Sequence, residues 1–234
     1  MLKPLTGLVL GTWVALVGTA QAQQDNPVVL ELYTSQGCSS CPPADELMHD
    51  LAKRDDVIAL ALHVDYWDYI GWKDTFASPQ YSNRQRAYAQ SGGDGRVYTP
   101  QMIIDGEDFI IGARWRQMSQ LIDQHAAEQS GVSIDLSRDG NRLAISANSA
   151  RSISGDVEVH VVRYTPSSKV SIRRGENAGR TIDYANIVSN WTTIGMWNGN
   201  GTYASTVRLS GNAPVVVLVQ EEDHGKILGA ARLR

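Results

Sequence analysis

The stretch "PVVLELYTSQGCSSCPPADELMHDLAKR", residues 27–54, decides how the first half of the chain is read. It opens with a short, nearly continuous apolar run, residues 27–34, rich in valine and leucine, the pattern of a strand buried on both faces. It closes with residues 44–54, where Leu47, Met48, Leu51 and Ala52 fall on one face at helical spacing. Between them stand the only two cysteines of the sequence, Cys38 and Cys41. Three uses are open: a redox-active dithiol, half of a metal site, or a small staple. A two-residue gap makes a poor staple, because closing so short a loop restrains little unfolded-chain entropy. Structural zinc takes four protein ligands, and four cannot be assembled around this pair.

Pro42 and Pro43 constrain the helix that follows. Proline fits the first helical turn, where its missing N–H costs nothing, but would interrupt bonds further in. The helix is therefore expected to start with Ser40 or Cys41 as its N-cap, leaving Cys38 just ahead of it and exposed. Ser39 and Ser40 could donate hydrogen bonds to a Cys38 thiolate, whereas Asp45 and Glu46 would oppose it.

Outward from this stretch, the 234 residues are 42% hydrophobic and 20% charged, an ordinary globular composition. Residues 1–22 stand apart. Lys3, the apolar run "LTGLVLGTWVALVG" and the Ala20-x-Ala22 pattern read as a cleavable signal peptide. The run is short for a spanning helix and interrupted by glycines. No stable membrane insertion is expected after cleavage, and the mature chain is expected to be periplasmic or secreted. Thiols there tend to be oxidised, and both cysteines follow the cleavage point. Residues 23–131 carry a net charge of −8 and residues 132–234 a net of +3, which suggests two units and gives no strong nucleic-acid footprint.

Residues 56–65 read as a second buried strand and 83–90 as a helix. Residues 101–105 and 109–113 read as a hairpin turning at Gly106, and 114–129 as a closing helix. Residues 66–82 are rich in aromatics and turn residues and fit neither period. Beyond Gly131 the pattern changes to alternating strands at 132–137, 142–148, 156–164, 181–188, 202–209, 214–222 and 226–233. The expected architecture is an α/β domain over residues 23–131 followed by an all-β antiparallel sandwich-like domain over 132–234.

The order strand, C-x-x-C, helix, strand, with Thr99-Pro100 directly before the third strand, resembles thioredoxin. "ELYTSQGCSSCPPAD", "HVDYWDYIGWKDTFASPQYSNRQRAY", "VYTPQMIIDG" and "RRGENAGRT" together resemble a family of secreted thioredoxin-like proteins catalogued as domain of unknown function 1223. The resemblance implies a thioredoxin-like fold for the first domain. It implies that Cys38 attacks a substrate disulfide and that Cys41 resolves the mixed disulfide. It places a cis bond between Thr99 and Pro100, with their backbone groups offered to a substrate chain. It suggests Glu31 as a proton carrier beneath the cysteines; the alternative is a structural glutamate held by a neighbouring hydroxyl or lysine, since a lone carboxylate in an apolar strand is expensive to bury.

Trp67 and Trp72 belong to an aromatic segment that reads either as a wall gripping a peptide or as a satellite core under a long loop. His63, Asp65 and Asp68, where the second strand ends, read either as metal ligands or acid/base groups facing the site or, by default, as a satisfied structural histidine with its neighbours. The basic run Arg163, Lys169, Arg173, Arg174 and Arg180 reads as solvated surface by default, or as a contact for an acidic surface. The leading expectation is an exported thiol–disulfide oxidoreductase acting on protein or peptide thiols and disulfides without a cofactor. A soft-metal chaperone binding copper(I) through Cys38 and Cys41 and a non-catalytic binding module are the alternatives.

Overall fold

The computed structural model describes residues 26–92, 95–128 and 130–234; the expected signal peptide lies outside them. β1 (Val28–Thr34) leads into α1 (Pro42–Leu51) and β2 (Val57–His63), and the two strands pair in parallel from Val28/Val57 to Thr34/His63. Every residue of both strands is buried, as their apolar runs require. Cys41 is the N-cap of α1, with the two prolines in its first turn.

α2 (Pro79–Ser91) begins four residues before its periodic stretch, because the Ser78 side chain accepts from Gln80 N–H and Pro79 fits the first turn. β3 (Gln101–Ile104) pairs antiparallel with β1, and β4 (Asp108–Ile111) with β3, before α3 (Trp115–Ala127). The second half is β5 (Val132–Asp139), β6 (Arg142–Ser149), β7 (Val157–Ser171), β8 (Thr181–Trp197), β9 (Tyr203–Arg208), β10 (Val215–Glu221) and β11 (Ile227–Leu233). β7 and β8 run well past the expected Tyr164 and Val188 as one long hairpin.

The expectation of a thioredoxin-like α/β domain followed by a sandwich-like domain is corrected here. Among the described residues there are eleven strands and three α-helices. Eight strands form one mixed sheet in the order β11-β10-β7-β8-β2-β1-β3-β4, and β5-β6-β9 form a second. The large sheet therefore takes strands from both sides of residue 131. Its join is the parallel pairing of Ala61 with Ile187, beside which Asn186, at φ 49°, donates its amide to the Ala59 carbonyl. The physical reason is the outer edge of β2. A strand buried on both faces cannot leave a row of N–H and C=O groups unpaired. The sequence of β2 shows that it is buried but not which strand covers it.

Three apolar clusters fill the layers. α1 and α3 cover one face of the sheet through Ala44, Met48, Leu51, Met118 and Ile122. α2 packs on the other face through Tyr81 and Tyr88. The small sheet covers β7 and β10. β10 serves two of these clusters at once, since Val215, Val217 and Val219 face the small sheet while Val216 and Leu218 face the α2 side. No described helix is long and apolar enough to cross a membrane.

Alternation also explains the buried charge. Val29, Glu31 and Tyr33 point to the α2 side, where the Glu31 carboxylate accepts two hydrogen bonds at 2.8 Å from Arg84 Nε and Nη2. Tyr33 and Tyr88 hydroxyls donate to the same carboxylate at 2.9 and 2.7 Å. Gln220, on the same face of β10 as Leu218, accepts from Arg84 at 2.9 Å. The guanidinium lies 3.8 Å from the Trp191 ring centroid. Burial alone would raise the Glu31 carboxyl, but Arg84 and the two tyrosines outweigh it and hold it below the usual range.

Removing Arg84 would strand that carboxylate. Arg84→Met is expected to cost about 3–5 kcal/mol, and Glu31→Gln in the same chain to restore a large part of it. Urea unfolding of the single and double variants checks this. A single variant within 1 kcal/mol (~) of the parent would contradict a paired buried charge.

Candidate functional site

The carboxyl ends of β1 and β2 hold the cysteine loop. Asp74 organises it, accepting from Gln36 N–H at 2.7 Å, from His63 Nδ1 at 2.7 Å and from Phe76 N–H at 2.8 Å. Burial would raise the Asp74 carboxyl; His63 and the two backbone donors overcome that and hold it low. Gly37 follows with no room to spare, since a Cβ there would meet Ile70 Cδ1 at 3.1 Å and Trp67 Cβ at 3.3 Å.

Cys38 and Cys41 form a disulfide with an S–S distance of 2.08 Å, χ3 of 88° and Cα–Cα of 5.4 Å, all within the ordinary range. Ser40 Oγ lies 3.4 Å from Cys38 Sγ and 3.4 Å from the Thr99 carbonyl. The Thr99–Pro100 bond is cis. Trp67 Nε1 donates to Thr99 Oγ1 at 2.7 Å and Trp72 Nε1 to Gln36 Oε1 at 2.8 Å. The structure thus gathers Cys38, Cys41, Thr99, Pro100, Trp67 and Trp72 at one end of the sheet. Trp72 and Phe76 also pack on a small cluster of Ile172, Ile182, Tyr184 and Ile187, a satellite core beneath the loop.

Glu31 is placed elsewhere, in the Arg84 network on the α2 face. The acidic group on the α1 face is Asp45, one helical turn past Cys41. Its Oδ1 accepts from Thr34 Oγ1 at 2.7 Å, while Oδ2 has no hydrogen-bond partner. Burial pushes its carboxyl up to about 7, against the lowering effect of His63 and Thr34. His63 Nε2 and the Tyr184 hydroxyl are likewise buried without hydrogen-bond partners, and their rings meet edge-on at 5.0 Å. Asp45, His63 and Tyr184 come from α1, β2 and β8, three elements that meet below the disulfide-bearing loop. Asp45 was legible only as an acid in a first helical turn, because its burial depends on β8.

The exposure expected of Cys38 is not found. Cys38 is 1% exposed and Cys41 is 0% exposed. Part of the cover is the connection between β7 and β8, where Asn177 Nδ2 donates to the carbonyls of Gln36 at 3.0 Å and Cys38 at 2.9 Å. The "RRGENAGRT" motif contains this asparagine, but nothing in its spacing points to Cys38. Of the basic run, Arg163 donates to the carbonyls of Ser210, Ala213 and Pro214, and Arg180 to Asn177 Oδ1. Asp65 accepts a short hydrogen bond from Ser82, and Asp68 accepts from Asp74 N–H.

Glu107, His125 and Glu128 could in principle hold a metal ion. Lys226 Nζ already sits 2.6 Å from Glu107 and 2.9 Å from Glu128, so an ammonium occupies the place a cation would take.

These features define a mixed-sheet protein with a buried C-x-x-C disulfide at the carboxyl ends of two parallel strands. The chain belongs to the family described as "Protein of unknown function (DUF1223)", whose model matches residues 29–220. It is similar to the crystal structure of protein AGR_C_4864 from Agrobacterium tumefaciens, at 32% identity and a TM-score of 0.77, covering 91% of this chain and 96% of that one. It is also similar to HBP35 of Porphyromonas gingivalis, at 16% identity and a TM-score of 0.63, covering 89% of this chain and 75% of that one. The second likeness concerns the fold alone. No curated protein matches the sequence.

The Asp45 carboxyl fixes a pH dependence. Its folded-state pKa, about 7, lies above the ordinary aspartate value of about 3.9. The folded state therefore binds more protons between those values, and stability falls as pH rises through that window and levels off above it. Asp45→Asn is expected to remove this fall, gaining roughly 3–4 kcal/mol on the parent between pH 4 and pH 8 (~). Urea unfolding at both pH values checks it; parallel pH profiles of the two proteins would refute it.

Proposed function

We propose that the protein is an exported thiol–disulfide oxidoreductase that uses the Cys38–Cys41 pair on protein or peptide thiols and disulfides. The observation that carries this reading is the juxtaposition of the disulfide with cis Thr99–Pro100 through Ser40, at the N-terminus of α1. A substrate thiolate forms a bond to one protein sulfur, and the Cys38–Cys41 bond breaks with its electron pair leaving on the other. A second substrate thiolate then attacks the mixed disulfide. The substrate dithiol leaves as a disulfide, and two electrons and two protons remain on the protein cysteines. In the reverse direction Cys38 attacks and Cys41 resolves.

The residues set limits on this chemistry. Pro42 and Pro43 remove two first-turn N–H groups that would stabilise a thiolate, so Cys38 relies on the Ser40 hydroxyl and the remaining helix dipole. Glu31 is held ionised and saturated with donors, which leaves Asp45 as the buried carboxyl suited to exchange a proton near neutral pH. Thr99 and Pro100 supply the backbone edge for an extended substrate, and Trp67 fixes Thr99 from behind.

One observation favours a second reading, a non-catalytic binding module. Both sulfurs are buried, as in a structural disulfide. The soft-metal alternative needs both thiolates free, so it concerns the reduced protein alone.

Insulin reduction with a thiol regenerant separates these readings. The oxidoreductase turns over, Cys38→Ser abolishes turnover, and Cys41→Ser accumulates mixed disulfides with protein substrates. A pair that stays oxidised in strong reductant, with no trapped partners, favours the binding module.

A further inference from the structure

The connection between β7 and β8, residues 172–180, is a compact turn tied to the backbone of the cysteine loop. It is tied to itself by Ile172 N–H to Arg180 O, Gly179 N–H to Ile172 O and Arg180 N–H to Asn177 O. Gly175, at φ 76°, lies so close to the segment after β2 that a Cβ would meet Trp72 Cβ at 3.3 Å. The Glu176 carboxylate accepts from Ser39 N–H at 3.3 Å. Asn177 is 1% exposed and spends both amide hydrogens on the carbonyls of Gln36 and Cys38.

Thiol–disulfide exchange needs access to a sulfur as well as a thiolate. With Cys38 and Cys41 at 1% and 0% exposure, a thiol carried on a protein cannot reach either sulfur in this arrangement, and the β7–β8 connection is tied directly to the Cys38 carbonyl. We infer that residues 173–179 are a latch over the Cys38–Cys41 disulfide, and that Asn177 is the positioning residue that holds it shut. The inference rests on the oxidoreductase reading for its purpose, but the latch itself is a statement about access. When Asn177 releases the two carbonyls, a thiolate bonds to Cys38 Sγ and the electron pair of the broken S–S bond passes to Cys41 Sγ. A dithiol reductant completes the reduction by closing its own disulfide, and the protons it gives up account for those gained by the two cysteines. Because the latch sits on backbone carbonyls of the cysteine loop itself, its opening frees that loop at the moment of attack.

The test is the rate at which the oxidised chain is reduced, followed by trapping free thiols. With dithiothreitol the rate is expected to rise and then level off with reductant concentration, because opening becomes limiting. A second-order rate constant as large as that of an exposed disulfide in an unfolded chain overturns the latch, and this measurement needs no variant. Asn177→Ala is expected to accelerate reduction roughly tenfold at saturating reductant, the scale of losing two ordinary hydrogen bonds. An unchanged rate in a variant with the parent's melting temperature overturns it as well. Insulin turnover reports on the other reading independently. Levelling, or reduction far slower than that of an exposed disulfide, without turnover leaves the latch standing and defeats the oxidoreductase, whereas turnover with reduction as fast as that of an exposed disulfide defeats the latch alone.

Discussion

The outer edge of β2 is the constraint on which the rest of the molecule depends. Buried on both faces, β2 must have its second row of backbone groups covered, and β8 supplies the cover at Ala61/Ile187 with the Asn186 amide on the Ala59 carbonyl. Once β8 lies there, its partner β7 and the strands beyond extend the same sheet. The turn between β7 and β8 then falls over the cysteine loop, and Tyr184 comes beneath α1 beside His63. The Asn177 ties to the cysteine loop and the Tyr184 ring beside His63 both follow from one strand placement.

Two buried carboxylates show how environment decides protonation within a single sheet. Glu31 and Asp45 are both inaccessible to water. Glu31 faces a guanidinium and two hydroxyls and stays ionised; Asp45 has one threonine hydroxyl and an imidazole nearby and is pushed toward neutrality. The first ties β1 to α2 and β10, a structural use of charge that burying an ion allows only when it is fully paired. The second is left with an unbonded oxygen, which is the state of a group able to exchange its proton.

Local structure was legible in the sequence because it depends on neighbours in the chain. The prolines place the start of α1, the two apolar runs become β1 and β2, and each alternating segment after Gly131 becomes a strand. The gathering of Thr99 and Pro100 beside the cysteines also follows from motifs quoted in the sequence. Partnership between distant segments was not legible. The change of pattern at residue 131 reads as a division of the fold, yet β8 carries the sheet across it. Cys38 reads as exposed because Asn177, which helps to cover it, lies 139 residues further along. Glu31 stands out as a lone acid in an apolar strand, but its partner Arg84 sits in a polar helix whose sequence gives no sign that this arginine is buried.

The distance from Cys38 to Asn177 has a consequence in time. A chain made from its amino end presents both cysteines long before the β7–β8 hairpin exists. Until that hairpin docks, the cysteine loop lacks the two hydrogen bonds that Asn177 gives it, and thiols or oxidants around the chain reach the pair more readily. The order of the sequence therefore gives the nascent cysteines an open period for pairing, and completion of the second half ends it.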